Sequence, residues 1–105
     1  MTERELGLIG LGVRAGTVAI GVGAVRSGLQ RGAVKLVVLA QDRSRRTDEK
    51  VGRLAAQRGI RVLEGPPAVE LGKRFGYADV QALGVHDQAL ADGIEAGITG
   101  PCRRT

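Results

Sequence analysis

Two short stretches of this 105-residue chain have the Gly-x-Gly spacing that proteins use to hold phosphate groups. Residues 7–16 read GLIGLGVRAG, and residues 21–26 read GVGAVR. Glycines where a helix begins let the backbone approach a phosphate closely, and the free N–H groups there bind its oxygens. Phosphate binding, on a cofactor or on a nucleic acid, is therefore the first chemistry to test against the sequence.

A dinucleotide-binding loop needs a strand before Gly-x-Gly-x-x-Gly, a helix after it and an acidic residue about 20 positions further on. The first stretch follows TEREL, which has the pattern of a helix start, and no acidic residue lies at the required distance. The second stretch follows a short strand, and Asp42 lies at a suitable distance, but Arg26 occupies the third glycine position. We therefore expect no cofactor, while the backbone N–H groups near Gly21 remain available to an RNA phosphate.

Catalytic and metal chemistry find little support in the residue types. His86 beside Asp87 could carry out acid–base chemistry, but no nucleophile or second histidine completes the set, and Asp87 suits the N-cap of a helix. The single cysteine, Cys102, excludes an internal disulfide and gives no zinc-site spacing. We expect a protein without enzymatic activity, metal or small-molecule substrate.

The charge of the chain points to a polyanionic partner, nucleic acid first. Sixteen Lys and Arg against eleven Asp and Glu give a net charge of +5, and the pI is about 10.3. The only aromatic residues are Phe75 and Tyr77, so the chain cannot build the stacking platform of many single-strand binders. Binding of RNA would depend on backbone amides, close approach at glycines and basic side chains.

The basic residues fall into three groups. Arg31 and Lys35 flank a glycine before the main strand, and we interpret them as RNA contacts. Lys73 and Arg74 lie near the end of a helix, where cations are stabilising in any case. A third group is interpreted as a solvated loop away from the RNA-binding surface: Arg43, Arg45 and Arg46.

Helical and strand-like patterns alternate along the chain. The predicted helices are 3–15, 22–31, 47–58, 66–75 and 87 to about 96, and the predicted strands are 17–20, 35–40, 60–64 and 79–85. This alternation predicts an α/β fold, a three-layer α/β/α sandwich with a central four-stranded mixed sheet and helices on both faces. We expect one domain over 1–97 and a flexible tail over 98–105.

The sequence also predicts a cytoplasmic location. The N-terminus, MTEREL, carries two glutamates and is unlike a secretory signal. No apolar run approaches the ~20 residues that a membrane-spanning helix needs. We therefore expect a soluble protein with no membrane partner.

Four segments occur in an order that is specific as a set. They are LIGLGVRAGT (8–17), VKLVVLAQD (34–42) after Gly21 and Arg31-Gly32, LGKRFG (71–76), and VHDQALA (85–91). Together they resemble the L-seven-Ae family of ribosomal proteins over about residues 5–95. The first and last segments are most similar to its bacterial YlxQ and YbxF branch. The family includes kink-turn RNA binders, and the resemblance implies an α/β/α sandwich.

The resemblance implies that RNA lies on two loops. The first is Ile20 to Ser27, with Arg31 and Lys35 nearby, and the second is 76–80, approached from the helix that bears Lys73 and Arg74. The residues that this assigns to RNA are Gly21, Val22, Gly23, Ala24, Ser27, Arg31, Lys35, Lys73, Arg74, Tyr77 and Ala78.

The first loop departs from the pattern of the kink-turn binders, which resemble one another in Gly-x-Asn-Glu-x-x-Lys. Gly21 matches, but Gly23, Ala24 and Ser27 replace Asn, Glu and Lys. In the family, Asn and Glu bond the base edges of sheared G·A pairs, and Lys contacts a phosphate. A bidentate base contact provides ~1–3 kcal/mol of discrimination. We therefore expect weak or absent kink-turn binding, with general RNA affinity that depends strongly on salt.

Three interpretations follow. In the first, the chain is a non-enzymatic RNA-binding protein of ribosomal type, with ribosomal, transcription or translation proteins as further partners. In the second, the fold has lost specific RNA recognition and binds a protein through the apolar surface of Val22, Gly23 and Ala24. In the third, residues 21–26 bind a nucleotide.

Overall fold

The computed structural model describes residues 1–99, with side chains to residue 96. Its elements are α1 (Glu3–Ala15), β1 (Val18–Ile20), α2 (Val22–Gln30), β2 (Leu36–Ala40), α3 (Arg45–Thr47), a π-helical turn (Asp48–Gly52), α4 (Arg53–Gln57), β3 (Arg61–Gly65), α5 (Ala68–Phe75), β4 (Ala82–Val85) and α6 (Gln88–Thr99). Among these helices, none has the length and apolar character needed to cross a membrane.

The four strands form one mixed sheet in the order β1-β4-β2-β3. β4 is antiparallel to both β1 and β2, whereas β3 is parallel to β2. Successive side chains of a strand point to opposite faces of the sheet, so the fully buried β2 contributes to two cores. The core on one face includes Ile9 of α1, Leu71 of α5 and Ile94 of α6. The core on the other face includes Val25 of α2 and Ala55 of α4. The predicted three-layer α/β/α sandwich is confirmed.

Local signals set several of the helix ends. The helix start indicated by TEREL is a capping box, in which the backbone N–H of Thr2 donates to Glu5 Oε1 at 2.7 Å. Gly16 ends α1 in the left-handed conformation, at φ 77°. The N–H of Leu90 donates to Asp87 Oδ1 at 3.1 Å, so Asp87 is the predicted cap of α6. These ends could be predicted because each depends on residues within one helical turn.

Several boundaries differ from the predictions by one to three residues. The third helical segment begins at Arg45 rather than at residue 47, because Ser44 accepts the N–H of Thr47 at 3.2 Å and caps it earlier. The last strand begins at Ala82 rather than at residue 79, since the N–H of Val80 donates to Ala68 of α5 at 2.9 Å. The last helix continues to Thr99, past its expected end near residue 96. The rest of the predicted tail, with Cys102, lies outside the described residues.

Candidate nucleic-acid interface

The predicted loops meet at the end of the sheet where β2 ends and β4 begins. There the N–H of Gly21 donates to the carbonyl of Ala82 at 2.9 Å, and the N–H of Ala40 donates to the carbonyl of Gln81 at 2.9 Å. A cavity of about 430 Å³ opens at this end, and we call it the loop cavity. It is lined by Ile20, Gly21, Val22, Ser44, Arg46, Thr47, Lys50, Tyr77, Asp79, Val80 and Gln81.

The first wall of the loop cavity is the start of α2. Gly21 precedes the helix at φ 102°, a conformation that L side chains rarely adopt. No side chain caps α2, so its leading N–H groups have no intrahelical acceptor and lie at its positive end. Gly23 is exposed, and a Cβ added there would meet no atom within 4 Å. Ala24 is exposed as well. The packing of the fold therefore does not require a small residue at position 23.

The second wall is the loop that follows α5. Gly76 ends the helix at φ 86°, and Tyr77 is 51% exposed at the loop cavity. The N–H of Tyr77 donates to Gly72 at 2.7 Å, and a Cβ at Gly72 would lie 2.7 Å from the carbonyl oxygen of Tyr77. Ala78 is exposed next to Tyr77. The close backbone contact between α5 and this loop fixes the position of the second wall.

The third wall, from Ser44 to Gly52, is the part of the site that the sequence interpretation missed. Arg46 and Lys50 are exposed and line the loop cavity. The placement of Arg46 away from this surface was therefore wrong. A side-chain hydrogen bond holds this segment at the cavity. Thr47 Oγ1 donates to Oε1 of Gln81, the residue before β4, at 2.6 Å. The spacing of Arg46 and Lys50, four residues apart in a helical segment, was the available signal that they share a face.

Arg43, from the same basic group, has a structural role instead. Its guanidinium bonds Glu64 at 2.7 Å and Asp48 at 2.9 Å, and its side chain is only 18% exposed. The hydrogen bonds to Glu64 and then Asp48 raise the pKa of Arg43. This double ion pair joins the π-helical turn to β3. The carboxylates of Glu64 and Asp48 both form ion pairs with Arg43. The cations that line the loop cavity are Arg46 and Lys50.

Lys73 and Arg74 lie in the last turn of α5 but do not line the loop cavity. Arg74 forms an ion pair with Glu3 of α1, and this hydrogen bond lowers the pKa of Glu3 and raises that of Arg74. Arg74 therefore joins α5 to α1. Lys73 is exposed.

Arg31 and Lys35 do not line the loop cavity with Gly21. Arg31 follows the C-terminal end of α2, whereas Gly21 precedes its start, and a nine-residue helix is about 14 Å long. The N–H of Lys35 donates to Val85, at the opposite end of β4 from the Gly21 contact. Lys35 lines a second cavity of about 490 Å³ with Arg58, Gly59 and Arg61 among other residues. That cavity lies where α2 and α4 end, so cations there stabilise the negative ends of two helices.

Asp42, the acidic residue on which the nucleotide interpretation depends, has a structural role. Asp42 Oδ1 accepts the N–H of Ala68 at 2.8 Å and so caps the start of α5. Within residues 1–99, no group of three or more His, Cys, Asp and Glu side chains could hold a metal ion. The arrangement that the loop cavity offers is thus two exposed cations, open backbone N–H groups and one exposed aromatic ring.

These features define a small α/β/α domain with its candidate site on loops at one end of a mixed sheet. Two solved structures share this architecture. A protein of unknown function from Bacillus halodurans C is 27% identical, with a TM-score of 0.85 over 94% of this chain and 100% of that one. A 15.5 kD RNA-binding protein from Giardia lamblia is 17% identical, with a TM-score of 0.73 over 94% of this chain and 88% of that one. No curated protein matches the sequence.

The family follows from the sequence itself. The model of the Ribosomal protein L7Ae/L30e/S12e/Gadd45 family matches residues 6–93, and the chain belongs to this family. The resemblance to L-seven-Ae proteins is confirmed at this level.

Proposed function

We propose that this chain is a non-enzymatic RNA-binding protein of ribosomal type, which holds structured RNA at the loop cavity. The observation that carries the proposal is the convergence of three chain segments on one concave surface, with Arg46 and Lys50 beside the open start of α2. Membership of a ribosomal protein family supports it, as does the likeness to a structure that is described as an RNA-binding protein.

The electrostatics of the loop cavity favour a polyanion. Among the described residues, Arg46 and Lys50 form no ion pair, in contrast to Arg43 and Arg74. The carboxylate among the lining residues is Asp79. Neutralising phosphates with free cations releases counterions and so provides affinity that falls steeply with salt. Tyr77 offers one ring for stacking, which provides ~1–3 kcal/mol per base in single-strand binders.

The proposal extends to what the RNA is. Because Gly23, Ala24 and Ser27 lack the base-reading side chains of the family pattern, kink-turns are bound no better than other structured RNAs. We also infer that the chain belongs to the YlxQ and YbxF branch, which its opening and closing motifs resemble, and that it acts in the cytoplasm. Ribosomal, transcription or translation proteins are its further partners.

The test is a titration of a kink-turn, a plain duplex and a single strand, at low and near-physiological salt. Arg46→Ala/Lys50→Ala is compared with Lys35→Ala/Arg61→Ala, which removes the same charge at the other end of the sheet. We expect the first variant to bind more weakly and to lose about 1.8 units of salt slope, the value for two phosphate contacts. The control variant keeps the wild-type slope.

Two results would overturn the proposal. Equal weakening by both double variants would mean that RNA responds to net charge rather than to the loop cavity. Absence of RNA binding by the wild-type chain would favour the alternative, a protein-interaction module on the same fold.

A further inference from the structure

Gln81 borders the loop cavity with a side-chain amide whose orientation is fixed by its neighbours. Its Oε1 accepts the hydroxyl of Thr47 at 2.6 Å and the backbone N–H of Ser44 at 3.2 Å. A backbone N–H can only donate, so the oxygen of the amide must face Ser44, and the NH₂ group must face the other way.

The NH₂ group of Gln81 is left without a protein partner. Within the side chains described, to residue 96, Nε2 of Gln81 makes no hydrogen bond. In the same part of the chain, the buried side-chain polar atom without a partner is Nε2 of His86. Nε2 of Gln81 is therefore open to solvent, and the space that its side chain borders is the loop cavity.

The oxygen and the nitrogen of the Gln81 amide thus have different roles. The oxygen ties Ser44 and Thr47 to the residue before β4, and this holds the third wall in place. The nitrogen is a neutral donor on a half-buried side chain, held in one direction beside Arg46 and Lys50. A donor that is already oriented loses little freedom on binding, which makes it more selective than a mobile surface lysine.

We propose that Gln81 determines specificity in the RNA site, by donating from Nε2 to an oxygen acceptor of the bound RNA. This inference rests on the proposed function of the loop cavity. The acceptor is an oxygen, either a base carbonyl or a backbone phosphate, because the surrounding cations favour oxygen-rich ligands. If the acceptor is a base carbonyl, Gln81 contributes to sequence specificity. If the acceptor is a phosphate oxygen, Gln81 contributes to the positioning of the RNA backbone.

The decisive variant is Gln81→Glu, which keeps an oxygen for Ser44 and Thr47 and replaces the NH₂ group with a second oxygen. Its added charge weakens all RNAs together, so the readout is a ratio of affinities. In one arm, a pool of RNAs randomised at each position gives the base preference of the wild type and the variant. In the other arm, single methylphosphonate linkages neutralise the phosphates of one bound RNA in turn. Gln81→Leu also lacks the oxygen that accepts from Ser44 and Thr47, so it measures how much that oxygen contributes to stability.

We expect Gln81→Glu to melt close to the wild type and Gln81→Leu to melt lower. We also expect the Gln81→Glu chain to lose about tenfold in discrimination, at one base position or at one phosphate. Unchanged base preference together with an unchanged methylphosphonate profile would overturn the inference while RNA binding itself stands. A wild-type chain that binds no RNA would overturn the proposed function, and the inference with it.

Discussion

The backbone of α5 lies so close to the second wall of the loop cavity that position 72 has no room for a side chain. A Cβ there would lie 2.7 Å from both the carbonyl oxygen of Tyr77 and Cα of Asp79. These atoms belong to the backbone, so Gly72→Ala must displace α5 or the loop. Overpacking costs ~1–3 kcal/mol, and alanine regains ~0.5–1 kcal/mol over glycine within a helix. We expect a net loss of about 1–2 kcal/mol, or roughly 10 °C in melting temperature.

Urea unfolding of Gly72→Ala beside Gly10→Ala tests this reasoning. Gly10 also lies within a helix, but its added Cβ would meet Phe75 at 3.8 Å, an ordinary contact, so we expect a gain of ~0.5–1 kcal/mol there. Because the displaced loop carries Tyr77, we also expect the Gly72→Ala chain to bind RNA more weakly at temperatures where it is fully folded. If Gly72→Ala is as stable as the wild type, the close approach that fixes the second wall does not exist.

Two further predictions concern the first helix and the first wall. The hydroxyl of Thr2 bonds Glu5 and lowers its pKa, so this contribution to stability is present above about pH 4.3 and is lost as the pH falls through the lower, folded-state pKa. Urea unfolding between about pH 6 and 3 should show this loss, and Thr2→Val should make it smaller; identical curves would contradict the assignment. Restoring the family pattern with Gly23→Asn/Ala24→Glu/Ser27→Lys should leave folding intact, because all three positions are exposed. Titration should then show at least about a tenfold gain for a kink-turn over a duplex, and no gain would mean that these side chains are insufficient in this loop.

The architecture could be predicted because its signals are local or strongly periodic. The apolar run over 35–40 indicated the central strand, and Asp87 indicated the start of the last helix from within its own turn. The boundaries that were missed have local and long-range causes. The start of α3 is set by a local cap, since Ser44 accepts the N–H of Thr47, whereas the start of β4 depends on the N–H of Val80, which donates to Ala68 of α5. No pattern within one segment contains the second of these contacts.

The arrangement of the candidate site could also be predicted only in part. The two loops could be taken from the family resemblance, and the structure brings Gly21 and Tyr77 to one cavity. Arg31 and Lys35 are close to Gly21 in sequence, but the length of α2 places them at the other end of the sheet. Arg46 is distant in sequence and adjacent in space. Sequence separation is thus a poor measure of proximity wherever a helix lies between two residues.

The residues around the loop cavity fall into two groups, those that fix the shape of its walls and those that would contact RNA. Gly21 and Gly72 are fixed by a positive φ and by a backbone contact, so a change at either alters the walls themselves. Position 23 faces solvent and meets nothing, so the family's asparagine could be lost there without a cost in folding. Loss of that pattern therefore does not imply loss of the site. Under the proposed function, recognition uses the oriented groups that remain at the cavity, which are those of the third wall and Gln81.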